Sequence, residues 1–182
     1  MTEKIRRFSL PAKIANLSGS SMHNHSDGIK IRLFSSDDLN GVLKIHRACK
    51  EVGTWRARDY EQLAAEPRGT ILVAEPEDPP LPNVLGFLAF YRLDGEAELW
   101  NLGIAPAHRR QGIARELLQE ACRKLAGAGV HRLFLEVRES NLPAVELYRS
   151  FGFVLQARRK EYYQHPKEDA LVLVYHIVEP GA

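Results

Sequence analysis

The chain has 182 residues, 45% of them hydrophobic and 26% charged, with a formal net charge of +2. That length carries one domain with a sizeable core rather than two. The two signs of charge are interspersed, which gives no general attraction to nucleic acid or to an anionic membrane. No apolar run approaches the roughly eighteen residues of a membrane span, so a soluble protein with neither nucleic-acid nor membrane partner is expected.

Residues 1–28 mix Ser, Asn, His and Gly without periodicity and read as a flexible N-terminal extension to a domain at 29–180. The opening MTEKIRRFSLPAKIANLSGSSM has positive charge but neither the apolar core nor the cleavage site of a secretory signal. The only two cysteines, Cys49 and Cys122, suit a reducing compartment, and the expectation is a cytoplasmic protein. His23 and His25 lack a companion carboxylate or cysteine at ligand spacing, so no metal site is expected.

From Ile29, IKIRLF alternates as a strand does, and Ser35 to Asp38 offers a helix cap ahead of Leu39, Val42, Leu43, Ile45 and His46. A short helix is predicted from about Arg56 to Ala65. TILVAE and VLGFLAFYRL then form a hairpin across the Pro-rich loop EPEDPPLPN at 75–83. EAELWNLGI, Glu96 to Ile104, alternates with Ala97, Leu99, Asn101 and Gly103 predicted on one face. The late glycine suggests a bulge that frees a backbone N–H near Gly103 or Ile104.

Helical spacing follows from Gly112 through Ile113, Leu117, Leu118, Ala121, Cys122 and Leu125, ending near Gly127 to Gly129. HRLFLEV is a strand. SNLPAVELYRSFGF is a short helix capped by Ser140 or Asn141 and closed by Gly152. FVLQARR and ALVLVYHIV are the last strands, with a polar loop of Tyr, Gln, His and Pro between them. No internal repeat is present. The fold class is α/β (α+β), a mixed sheet with helices on both faces.

RRQGIA, Arg109 to Ala114, places bare backbone and positive charge at a helix start. The first N–H groups there have no helical partner and the macrodipole adds partial positive charge, so a phosphate finds a ready site. Neither the Lys-Ser/Thr of a Walker loop nor the three glycines of a dinucleotide fingerprint is present. On pattern alone, an exposed helix start weighs as much as a ligand site.

The order is more specific than any one piece. R-x-x-G-x-A after a strand ending NLGIAP, then a long amphipathic helix, a strand and N-x-x-A-x-x-x-Y-x-x-x-G-F, resembles the GNAT superfamily of acyl-CoA-dependent N-acetyltransferases over roughly Ile29 to Ile177. Within it, LEVRESN, ELYRSFGF and RRKEYY followed by EDALVL look most like the ribosomal-protein alanine N-acetyltransferases.

The resemblance implies a mostly antiparallel twisted sheet of six to seven strands and acetyl-CoA as cosubstrate, without a metal. It implies that main-chain groups at Leu102, Gly103 and Ile104 hold the pantetheine and thioester carbonyl. The turn at Arg110, Gln111, Gly112, Ile113, Ala114 and Arg115 then holds the pyrophosphate, and Asn141 contacts the pantetheine arm. The family's second turn glycine is Ala114 here. The acceptor implied is the N-terminal α-amine of a protein, such as a ribosomal protein, handled by a monomer or weak dimer. The alternatives are an acetyltransferase of the same fold acting on a small amine or amino acid, and a non-catalytic acyl-CoA-binding module.

Acyl transfer to an amine needs a base, a polarised carbonyl and an acid for the leaving thiolate. Glu136 interrupts the apolar strand LFLEV on the face of Phe134 and Arg138, where burial would raise its pKa. An ion pair with Arg132 or Arg138 is equally consistent with the pattern, and the resemblance favours a general base. Glu98 is the rival base. Tyr148 is either a core aromatic or, as the resemblance implies, the general acid. Trp55, Tyr162 and Tyr163 either line the acceptor groove or simply pack. Cys122 is expected to be buried and inert, His46 and His176 structural, and Arg158 to Lys160 either solvated surface or a reader of an acidic substrate tail.

Overall fold

A computed structural model describes residues 28–49, 55–77 and 83–178. The expectations for residues 1–27, for His23 and His25, and for most of the 75–83 loop lie outside the described residues. The strands are β1 (Ile29–Leu33), β2 (Gly69–Pro76), β3 (Gly86–Arg92), β4 (Glu96–Ile104), β5 (Arg132–Arg138), β6 (Val154–Gln164) and β7 (Lys167–His176). The helices are α1 (Leu39–Ala48), α2 (Ala57–Ala65), α3 (Ile113–Ala126) and α4 (Leu142–Phe151). The seven strands form one sheet in the order β1-β2-β3-β4-β5-β7-β6, antiparallel throughout except for the β4–β5 pair.

Each face of this sheet buries its own core. Ile113, Leu117, Leu118, Ala121 and Leu125 of α3 and Val145 and Tyr148 of α4 pack with Leu72, Leu88, Phe90, Leu99, Leu133 and Leu135 on one face. Val42 and Ile45 of α1 and Tyr60 and Leu63 of α2 pack with Val73, Phe87 and Ala89 on the other. Burying a leucine or phenylalanine contributes about 1.5–3 kcal/mol, so these stripes dock the helices more firmly than propensity does. Polar contacts fix the start. The buried Asp38 accepts from Arg32 at 2.6 and 2.8 Å and from the Ser35 backbone N–H at 2.7 Å, while Arg32 also reaches Glu75 at 2.7 Å.

The alternation expected along β4 is broken. The β3–β4 register runs Ala89↔Asn101 and then Phe90↔Leu99, leaving Trp100 as an extra residue. Ala97 and Leu99 therefore join the α3/α4 core. Asn101 and Gly103 instead lie on the α1/α2 face, opposite Ala89 and Phe87. The bulge is at Trp100, not at Gly103 or Ile104, and the ladder with β3 is unbroken from Asn101 to Ile104. Gly103 has a packing reason instead: a Cβ there would meet Phe87 Cε1 at 2.7 Å and Ile45 Cγ2 at 3.2 Å.

A second correction concerns the last hairpin. Strand pairing runs from Val154↔Val174 to Gln164↔Lys167, so Tyr162 and Tyr163 stand on β6 rather than in a loop. Only His165 and Pro166 connect the strands. β6 is an edge strand, exposed along most of its length, so it lacks the apolar alternation by which a half-buried strand is recognised.

Candidate active site

β4 and β5 pair only from Glu96↔Arg132 to Leu99↔Leu135; beyond that point β4 stays with β3 and β5 stays with β7. The sheet thus opens into a fork. The Ala105 N–H donates to the Leu85 C=O at 2.8 Å. By the alternation of an antiparallel ladder, the odd residues of this strand end address β3, while Leu102 and Ile104 turn their backbone groups toward the fork. The freed N–H groups are therefore those of Leu102 and Ile104. They are freed by the departure of β5 and not by a bulge, and Gly103 spends its own amide in the ladder.

At the mouth of the fork, on the α3/α4 face, a turn leads into α3. Arg110 has φ 61° and Gly112 φ 85°, both in the left-handed region. Gly112 caps α3 without a side-chain hydrogen bond, and its carbonyl already accepts from Arg115 N at 2.8 Å and Glu116 N at 3.2 Å. The amides of Gly112, Ile113 and Ala114 stand at the start of a 14-residue helix that no side chain caps, where the dipole favours an anion. Arg109 donates to the Ile104 carbonyl at 3.4 Å and to Cys49 Sγ at 3.3 Å. Arg115 lies over Phe151, 5.6 Å from its ring centre, and reaches the Ser150 carbonyl at 3.4 Å, tying the turn to α4.

Glu136 is the first residue of β5 beyond its last pairing with β4, on the α1/α2 face. Its partner is neither Arg132 nor Arg138. Arg159 Nη1 lies 2.5 Å from its Oε1, and the Tyr162 hydroxyl hydrogen-bonds the same carboxylate. Arg132 pairs with Glu96, and Arg138 with Glu168 at 3.1 Å. The two expected partners are held by these other carboxylates, Arg159 comes from the part of β6 already read as strand, and the continuation of β6 beyond it adds Tyr162. Of the basic run, Arg159 pairs with Glu136 and Arg158 with Glu139 at 2.6 Å, while Lys160 is exposed.

Tyr148 is buried on the opposite, α3/α4 face, edge-on to Phe153 at 5.4 Å. Burial, with Tyr163 nearby, pushes its phenol above the ordinary tyrosine range. Tyr163 in turn senses Glu136 and stacks under Arg138, 4.0 Å from its ring centre. The hairpin residues thus bring Tyr162 and Tyr163 to the Glu136 side of the fork. Glu98 accepts from Trp100 Nε1 at 3.0 Å and sits one step deeper, where β4 is still paired through Phe134. Trp55 packs edge-on against Tyr60 and Trp100, and Trp100 stacks on Tyr91 at 5.1 Å, forming an aromatic wall beside Glu98. Asn141 caps α4, its Oδ1 accepting from Ala144 N at 3.3 Å.

His46 is structural, its Nδ1 lying 2.7 Å from the buried Tyr60 hydroxyl, whereas His176 is exposed. Burial pushes the Cys122 thiol up to about 12, the environment expected of an inert cysteine. Among the described residues there is no cluster of His, Cys, Asp and Glu able to hold a metal, and no helix long and apolar enough to cross a membrane.

Asn101 was legible only as one member of an alternation. It is 5% exposed, and its Nδ2 has no hydrogen-bond partner. The available signal was a lone amide in the otherwise apolar LWNLGI. Arg159 carried no signal beyond its charge, because its role depends on where β6 runs.

The acetyltransferase (GNAT) family matches residues 39–153. The [ribosomal protein bS18]-alanine N-acetyltransferase of Haemophilus ducreyi is 38% identical over 98 residues, 52% of this chain and 68% of that protein. Its counterpart from Escherichia coli K12 is 41% identical over 80 residues, 43% of this chain and 54% of that protein, so the matched stretch spans about half of the latter. The crystal structure of the E. coli ribosomal-protein-S18-alanine N-acetyltransferase superposes with a TM-score of 0.73 at 27% identity, covering 84% of this chain and 96% of that one. Arabidopsis thaliana NAA60 in complex with acetyl-CoA shares the fold, with a TM-score of 0.72 at 21% identity over 82% of this chain. With more than half of its residues matched, the chain belongs to the GNAT acetyltransferase family and is an acyltransferase.

Proposed function

We propose that the chain transfers the acetyl group of acetyl-CoA directly to the N-terminal α-amine of a protein, the reaction for which its bS18-alanine relatives are named. The observation that carries this reading is the two-faced fork. Glu136 stands at its apex on one face, and the uncapped α3 turn and Tyr148 stand on the other. Cofactor and acceptor can therefore enter from opposite sides and meet between β4 and β5.

The residues fit acetyl-CoA. The amides of Gln111 to Ala114, with Arg110 and Arg115, supply donors for the pyrophosphate. Leu102 and Ile104 offer edge-strand groups to the pantetheine arm, and the Asn141 amide stands at the adjacent start of α4. Glu136 takes a proton from the acceptor ammonium, and the amine attacks the thioester carbon. The oxyanion that forms is met by main-chain N–H donors turned into the fork. Collapse breaks the C–S bond, and Tyr148, kept protonated by burial, gives its proton to the departing thiolate; the second proton of the acylated nitrogen leaves through solvent and restores the phenol. Glu98, committed to Trp100 and deeper in the paired sheet, ranks behind Glu136 as the base. Trp55, Tyr162 and Tyr163 line the acceptor side.

Mass spectrometry of acetyl-CoA reactions with peptides starting in Ala, Ser or Met, alongside small amines and amino acids, tests this. Peptide N-termini should be acetylated fastest. Transfer confined to small amines, or acetyl-CoA binding without transfer to any acceptor, would refute it.

A further inference from the structure

Asn101 places a buried amide without a partner where the sheet divides. Buried polar groups nearly always find hydrogen bonds, and one left without a partner in the folded chain is a donor that a ligand can satisfy. Nδ2 is such a group, on a residue 5% exposed. Its position depends on the Trp100 bulge. Without the extra residue, Asn101 would follow Ala97 and Leu99 onto the α3/α4 core face; with it, Asn101 turns to the face of Glu136, Glu98 and Trp100.

We propose that Asn101 binds the acceptor, its Nδ2 donating to the carbonyl oxygen of the acceptor's first peptide bond, so that the site selects an α-aminoacyl peptide over an amine that lacks this carbonyl. The inference rests on the peptide-acceptor reading above and adds the group that reads the peptide. An N–H donor is of no use to the attacking amine, whose lone pair must reach the thioester carbon, but it suits an oxygen acceptor. Two carbonyls come to the fork. The thioester carbonyl lies between the strands, where the Leu102 and Ile104 groups point. The acceptor's carbonyl is two bonds from its amine and lies on the Glu136 side, which is the side of Asn101. The two carboxylates on that side are engaged, Glu136 with Arg159 and Tyr162 and Glu98 with Trp100, and neither offers an N–H donor to an arriving carbonyl. The Asn101 amide swings about a soft terminal torsion, so Nδ2 can be brought to an arriving oxygen without moving the strand.

The test crosses two changes. The acceptors are a peptide with a free N-terminal alanine and its analogue in which the first peptide bond is a trans alkene, which keeps the shape and removes the carbonyl. The enzymes are the full chain and its Asn101→Leu and Asn101→Ser variants. Wild-type kcat/KM should fall about 10- to 100-fold on the alkene peptide, the loss expected when a site's donor is left unpaired. Each variant should lose a similar factor on the ordinary peptide and little more on the alkene analogue. The affinity for acetyl-CoA should be unchanged, and the Tm of Asn101→Leu unchanged or higher, because a buried unpaired amide has been removed. Equal further losses on both acceptors would place Asn101 away from that carbonyl and overturn the proposal. So would a wild-type enzyme that accepts the alkene peptide within a few-fold, a result that needs no variant to fold. A wild-type enzyme that transfers to no peptide at all overturns the peptide-acceptor reading and this inference together, whereas peptide transfer with equal losses overturns the inference alone.

Discussion

Replacing Gly112 by alanine separates backbone strain from ligand binding. Gly112 has φ 85°, where an L-residue costs about 1–2 kcal/mol. For a chain of 182 residues that predicts a fall in Tm of about 2–8 °C. The control is Gly129, with φ 70° and nothing within 4 Å of a built Cβ. Gly129→Ala should thus show the same strain and nothing else. If the amides around Gly112 cradle a pyrophosphate, the added methyl also holds the ligand off the main chain. Losing one charge-assisted hydrogen bond there costs about 1.5–3 kcal/mol, which weakens binding roughly 10- to 150-fold. Thermal melts and calorimetric titration with acetyl-CoA, run on both variants, read the two effects independently. Equal loss of stability with selective loss of acetyl-CoA affinity in Gly112→Ala is expected. Equal affinity in the two variants would refute the cradle.

Glu136→Gln should lower turnover by at least about 10²-fold while leaving acetyl-CoA affinity intact, and Glu98→Gln should cost no more than a few-fold; the reverse order in steady-state assays would exchange their roles. Tyr148→Phe should slow turnover by about 10²- to 10⁴-fold without changing the calorimetric Kd. Because burial raises the Tyr148 phenol, the wild-type rate should hold up to about pH 10 without a limb from loss of that proton. Stability has the same sign. Tyr60, Tyr148 and Cys122 all have folded values raised by burial, so their contribution is complete below the unfolded values, about 8.5 for cysteine and 10 for tyrosine, and is lost as pH rises through the folded values. Urea titrations should therefore show the midpoint declining above about pH 9 and Tyr60→Phe reducing that decline.

What the sequence disclosed depended on how directly each feature is written in residue type. The α3 cradle was legible because its geometry demands special residues. A left-handed cap calls for Gly112, and close packing of α3 writes Ile113, Leu117 and Leu118 at helical spacing. Glu136 was legible because a carboxylate inside LFLEV contradicts its neighbours. The bulge at Trp100 was not, since the extra residue can be of any type, and the glycine that seemed to mark it answers instead to Phe87 and Ile45. The length of β6 was hidden for a related reason. Periodicity reports a buried face, and a strand exposed on both sides has none to report. With that length went one of the two partners of Glu136, because Tyr162 reaches the carboxylate only on a strand that continues past Arg159.

These two hidden features make the difference between a sheet and a site. The departure of β5 after Leu135 opens the fork and frees main-chain donors, but a regular β4 would still line both walls with the alternation set at Glu96. The extra residue at Trp100 reverses that alternation for the second half of β4 alone. Leu102 and Ile104 can therefore pack toward α3 while Asn101 lies on the same face of the sheet as Glu136. One inserted residue thus gives a single strand two chemical faces at the point where two substrates must meet. A long β6 performs the complementary service from the other wall, where Arg159 and Tyr162 converge on the carboxylate. The chemistry proposed for the fork depends as much on these irregularities as on Glu136 and Tyr148, since a β4 paired with β5 to its end would leave no opening between them.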